Sequence, residues 1–190
     1  MIETKKDQGW SWAELDMVSA AQGGAPPAHV DALKLMAALL QHNDSKDANQ
    51  RLVCDDDSWT EDQQGARFCA RPILMIQDVG ATFGGAGNRI RVESKVNLAH
   101  WREKRIWLDG KRCVANLVGS TKDGTLTDPP ISEEGRAFLA GLLSKVSAEQ
   151  IRDLFRVSQV TIHDRGTAIA DWERAFWYKA WQIVNHRCPA

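Results

Sequence analysis

The stretch from His42 to Gly80 constrains this chain more than any other. It opens with His42-Asn43-Asp44-Ser45-Lys46-Asp47-Ala48-Asn49 and runs into the apolar segment Gln50-Arg51-Leu52-Val53-Cys54. A polar insert follows, then a second apolar segment, Ile73-Leu74-Met75-Ile76-Gln77, closing on Asp78-Val79-Gly80. Both apolar segments have strand length and are bounded by turn-forming residues. Upstream, Val30, Leu33, Leu35, Met36, Leu39 and Leu40 form a wide apolar stripe. That spacing predicts a largely buried helix from about Ala28 to Gln41, which delivers the chain directly to His42. The order is therefore helix, polar loop, two short strands and a D-x-G.

Reduced to fixed positions, the stretch reads H-x-D-x-K-x-x-N, strand, strand, D-x-G. It resembles the catalytic half of the protein-kinase-like superfamily, where a helix leads into the catalytic loop and two strands lead to the metal-binding Asp. The resemblance implies an α+β, mostly helical C-terminal lobe over residues 28–190, with a small β hairpin carrying the site. Residues 1–27 are then an N-terminal segment and linker. Phosphoryl transfer asks a protein for positioning and charge neutralisation rather than covalent help. By the resemblance, Asp44 is the base candidate and Lys46 the phosphate contact. Asn49 and Asp78 are the magnesium ligands beneath ATP, because an amide oxygen and a carboxylate are hard donors. His42 braces the loop, and Gly80 lets the backbone turn after the metal ligand. The competing reading is architectural: Asp, Asn and Gly all favour turns, so Asp44 and Asn49 would only shape a helix C-terminal turn and Asp78 would begin a β-turn.

Three departures from the family pattern bear on activity. Asn43 stands where regulated kinases carry the Arg that binds a phosphorylated activation loop. D-V-G replaces D-F-G. Residues 1–27 contain no G-x-G-x-x-G and no strand Lys of the V-A-I-K kind, both of which an N-lobe needs. The expectation is a phosphotransferase C-lobe incompetent without an N-lobe, supplied by a partner or replaced by self-association. Its ligands would be a nucleotide and an unidentified hydroxyl acceptor. The alternative is a non-catalytic, pseudokinase-like binding or scaffold module.

The net charge of −1 gives no global field toward nucleic acid or anionic lipid. No apolar run approaches the ~20 residues a membrane span requires, and the polar start does not read as a signal peptide. Four cysteines, Cys54, Cys69, Cys113 and Cys188, show no C-x-x-C spacing, which disfavours a zinc knuckle. Cys54 and Cys69 flank the polar insert and could staple its ends, leaving Cys113 for Cys188. Four buried thiols are the other option. Disulfides need an oxidising compartment, so localisation stays open between that of a leaderless chain and that of an exported parent.

Around the motif, Ser11 with Glu14 reads as a capping box opening a short helix, and 23–27 as a linker. The acidic cluster at 55–57 lacks the Gly and distal Glu of a calcium loop and reads as a solvated hairpin tip. The glycine-rich run 81–87 reads as a mobile loop. Trp101, Ile106, Trp107, Val114 and Leu117 suggest short elements around a substrate-side groove. Three terminal helices are expected. The first runs from Ser132 to about Val146, with Phe138, Leu139, Leu142 and Leu143 on one face. The second opens at the Ser147–Gln150 capping box, runs to about Val157 and buries Ile151, Leu154 and Phe155. The third runs from Ala168 to about His186, burying Trp172, Phe176, Ile183 and Val184.

Overall fold

The computed structural model describes residues 9–54, 58–61, 63–65, 67–79, 82–84, 96–117 and 126–189. Gly80, the acidic cluster at 55–57, most of the glycine-rich run and the turn at 123–124 lie outside the described residues.

The fold is α+β, with more helix than strand. Helix α1 spans Pro27–Leu40, its first residue a proline whose missing N–H is no loss at that position. Val30, Ala32, Leu35, Ala37, Ala38 and Leu39 are buried along it. It stops because Gln41 turns left-handed (φ 54°, ψ 58°), a conformation that costs a non-glycine residue ~1 kcal/mol. The return is a closed helix end. Gln41 N–H donates to the Ala38 carbonyl (3.2 Å) and His42 N–H to that of Ala37 (2.9 Å), satisfying two terminal acceptors and aiming His42 inward.

Strands β1 (Gln50–Cys54) and β4 (Pro72–Ile76) pair antiparallel in the register Gln50↔Ile76, Leu52↔Leu74, Cys54↔Pro72. Their side chains alternate: Leu52, Leu74 and Ile76 pack against the core, whereas Val53, Ile73 and Met75 are exposed. Between them a second hairpin, β2 (Trp59–Glu61) with β3 (Arg67–Cys69), occupies the insert. A disulfide, Cys54–Cys69, staples the insert to the end of β1. A third two-stranded ladder joins β5 (Trp107–Asp109) to β6 (Val114–Ala115) after the short helix α2 (Leu98–Glu103).

The remaining helices are α3 (Glu133–Leu143), α4 (Ala148–Val157), α5 (Val160–His163) and α6 (Ile169–Val184). Helix α1 packs along α3, and α6 packs against α2, α3 and α4. The predicted capping box at α4 is present in both directions: Ser147 N–H donates to Gln150 Oε1 (2.8 Å) and Gln150 N–H to Ser147 Oγ (3.1 Å). The centre of the core is aromatic. Phe83 meets Trp101 edge-on at 5.0 Å, Trp101 stacks on Trp172 at 5.9 Å, and Phe155 lies 5.6 Å from Trp172.

Several expectations need correction. Phe138, Leu142, Leu154 and Val184 are exposed, because each lies beyond the arc its helix turns inward; Phe138 instead stacks on His29 of α1 at 4.0 Å. Trp101, Ile106 and Leu117, expected around a groove, are buried in the core. Within the glycine-rich run, Gly84 is anchored: a Cβ there would lie 2.4 Å from the Asn97 carbonyl oxygen and 2.7 Å from Trp101 N. Its φ of +83° is one that glycine adopts without strain. For the cysteines the paired option holds: they form two disulfides, Cys54–Cys69 and Cys113–Cys188, and no free thiol.

Candidate functional site

The His42–Asn49 loop lies between the end of α1 and the start of β1, and its shape comes from its own polar side chains. Asn49 ends a short 3-10 turn, Asp47–Asn49. Its Nδ2 donates back to the Asp44 carbonyl, closing the loop across Ser45 and Lys46. Lys46 Nζ pairs with Asp44 Oδ2 at 3.1 Å, both side chains about one-third exposed. The other half of the motif reaches the same place through the β1–β4 hairpin. As β4 ends, the N–H groups of Gln77 (2.9 Å) and Asp78 (3.1 Å) both donate to the Asn49 carbonyl. Arg51 Nε also donates to Gln77 Oε1 across the ladder. The structure therefore brings Asp44, Lys46, Asn49 and Asp78 together around one loop.

His42 lies beneath them, 2% exposed, with neither ring nitrogen hydrogen-bonded. Burial lowers its pKa, while the charges of Asp44 and Asp78 act in the opposite direction. Desolvation is the larger effect, so the neutral ring is favoured.

Three features that hold the loop escape a reading by motif. Ser45, fully buried, is its hub. The Ser45 carbonyl accepts from Trp12 Nε1 (2.9 Å) and Gln50 Nε2 (3.3 Å), and its Oγ from Leu126 N–H (3.0 Å). The N-terminal segment forms a strap, with Trp10 and Trp12 both buried and Trp10 Nε1 donating to the Arg51 carbonyl (3.2 Å). Gly9 passes so near the loop that a Cβ would stand 1.7 Å from the Asp47 carbonyl oxygen. Thirdly, Phe83 N–H donates to the Leu40 carbonyl (2.7 Å), fastening the chain beyond Asp78 to the end of α1. The Gly-Trp-Ser-Trp run was the visible sign of the strap, but its target is far away in sequence.

Asn49 donates its amide nitrogen to the Asp44 carbonyl; an Asn side-chain oxygen and an Asp carboxylate such as that of Asp78 are hard oxygen donors. Magnesium commonly takes one or two such protein oxygens and fills its octahedron with water and phosphate. A separate group, Cys113, His186 and Cys188, places three metal-ligating atoms within 4.8 Å of one another. No family model, curated protein or solved structure matches this chain. No described helix is long and apolar enough to cross a membrane.

Proposed function

We propose that this chain is the catalytic-loop half of a kinase-like phosphotransferase, transferring the γ-phosphoryl of ATP to a hydroxyl acceptor with magnesium. The observation that carries this reading is the pair of hydrogen bonds from Gln77 and Asp78 to the Asn49 carbonyl. They join the two ends of H-x-D-x-K-x-x-N…D-x-G at one point, as the chemistry requires. Asn49 and Asp78 would hold magnesium, which when bound offsets the charge of the phosphates. Asp44 orients the acceptor hydroxyl and takes up its proton. Lys46 meets the transferring phosphate; its present ion pair with Asp44 is about one-third exposed, and such surface pairs are worth under ~1 kcal/mol, so it exchanges partners readily.

Residues 9–17 are committed to the strap and supply no N-lobe sheet. Val53, Ile73 and Met75, with Val79 just past β4, leave an exposed apolar surface beside the site, which suits an N-lobe-bearing partner or self-association. The two disulfides suit an oxidising or extracellular environment. The same strap supports a second reading, a kinase-like scaffold that binds without turnover.

Titration calorimetry of the chain with ATP and Mg2+ tests the proposal. Mg-dependent binding is expected, lost in Asp78→Asn with the circular dichroism unchanged. Binding that survives in Asp78→Asn makes Asp78 a turn residue and overturns the assignment. With an N-lobe supplied, Asp44→Ala should abolish turnover and spare nucleotide binding; binding without turnover in the wild type favours the scaffold.

A further inference from the structure

We propose that Cys113, His186 and Cys188 form a binding site for a thiophilic divalent cation, Zn2+ foremost, when the Cys113–Cys188 disulfide is reduced. This inference does not rest on the phosphotransferase reading, since the site lies on the other disulfide and uses none of those residues.

The three donors are held by contacts that do not need the S–S bond. Cys113 sits in the β5–β6 turn, where its carbonyl accepts from Ile131 N–H (2.9 Å). Cys188 N–H donates to Glu133 Oε2 (2.8 Å), and Arg136 fixes Glu133 while donating to the Ile183 carbonyl at the end of α6 (2.9 Å). The His186 ring stacks on Trp107 at 4.4 Å. Its Nε2 lies 3.0 Å from the Gly110 carbonyl. A carbonyl oxygen only accepts, so Nε2 carries the proton and Nδ1 keeps its lone pair. Nδ1 would then be the ligand atom, and a ligating histidine commonly donates its second ring N–H to a backbone carbonyl, which fixes tautomer and orientation. Two thiolates and an imidazole are the donors zinc prefers, with water completing a tetrahedron, and two thiolates neutralise a divalent charge. The other disulfide lacks such company: among the described residues, Cys54 and Cys69 belong to no three-donor cluster.

The chemistry balances. A dithiol or phosphine reductant gives two electrons to the S–S bond and is itself oxidised, the dithiol to its disulfide as its two protons pass to the sulfurs, the phosphine to its oxide with water supplying the oxygen and both protons. The sulfurs become two thiols. The cation then displaces two protons, and the sulfurs move apart to share it.

The test uses the full chain reduced by a water-soluble phosphine without oxygen, with Co2+ as an optical probe and Zn2+ as competitor. One Co2+ per chain is expected, with sulfur-to-cobalt charge-transfer absorption that Zn2+ removes and that the oxidised chain never shows. Cys54→Ser/Cys69→Ser should retain the band. His186→Ala should bind at least about tenfold more weakly, the lower end of what losing merely an outer-shell partner of a ligand costs. No band in the reduced wild type, or equal affinity in His186→Ala, overturns the proposal. Should the Cys54→Ser/Cys69→Ser chain fail to fold, alkylation mapping of the reduced wild type replaces it. Zn2+ must then slow modification of Cys188 and leave that of Cys54 and Cys69 unchanged; protection mapping to Cys54 and Cys69 overturns the proposal.

Discussion

Gly9 and Lys179 each sit where a substitution has a defined physical cost. At Gly9 the obstacle is backbone, the Asp47 carbonyl, which cannot rotate out of the way as a side chain would. Gly9→Ala should therefore destabilise the chain by about 1–3 kcal/mol, the cost of overpacking a closed site, read as a lower urea midpoint. Lys179 is fully buried, donates to the Lys104 carbonyl and lies 5.5 Å from the centre of the Trp101 ring. Desolvation lowers its pKa from 10.5 to about 8. Between those values the unfolded chain holds more protons than the folded one, so stability must rise with pH. The contribution is complete above pH 10.5 and lost as pH falls through about 8; at ~1.4 kcal/mol per unit its ceiling is about 3 kcal/mol. Urea unfolding from pH 7 to 11 should show this rise, and Lys179→Met should flatten it.

Among elements, the longer helices α1, α3, α4 and α6 and the first hairpin were readable from the sequence; the short helices α2 and α5 and the strap were not. Pro27, the apolar stripe and the turn after Leu40 are local signals, so α1 lies where periodicity puts it. The Ser147–Gln150 box likewise marks α4 because capping is decided within one turn. The order of the loop and its D-x-G could be read too, since motif spacing is local. What holds the loop could not: Ser45 depends on Trp12 upstream and Leu126 far downstream, and no local propensity encodes such pairings. Leu154 was misjudged for a related reason, because the width of a buried stripe depends on the neighbouring helix. If the strap sets the loop, Trp12→Phe, which keeps most of the ring and removes the indole N–H, should cost about 1–2 kcal/mol. It should also speed hydrogen exchange at Gln77 and Asp78, whose N–H groups are bonded to Asn49, while amides in α6 stay protected. Unchanged exchange at those two amides would show the loop to be held without Trp12.

For the molecule as a whole, the two disulfides differ in reach. Cys54–Cys69 spans 15 residues and Cys113–Cys188 spans 75. In the chain-entropy account, the longer loop is worth about 4.5 kcal/mol and the shorter about 3. Replacing Cys113 and Cys188 by Ser should therefore lower the unfolding free energy more than replacing Cys54 and Cys69, as paired denaturation curves would show. The long loop has a mechanical consequence as well. It encloses α3, α4, α5 and α6, so tension applied beyond Cys188 passes through the sulfurs into the β5–β6 turn and bypasses every one of those helices. Roughly 250 Å of contour, at ~3.3–3.6 Å per residue, is hidden from any pull on the tail. The helical half is a closed ring hung on one covalent link, and it bears load only when that link is reduced.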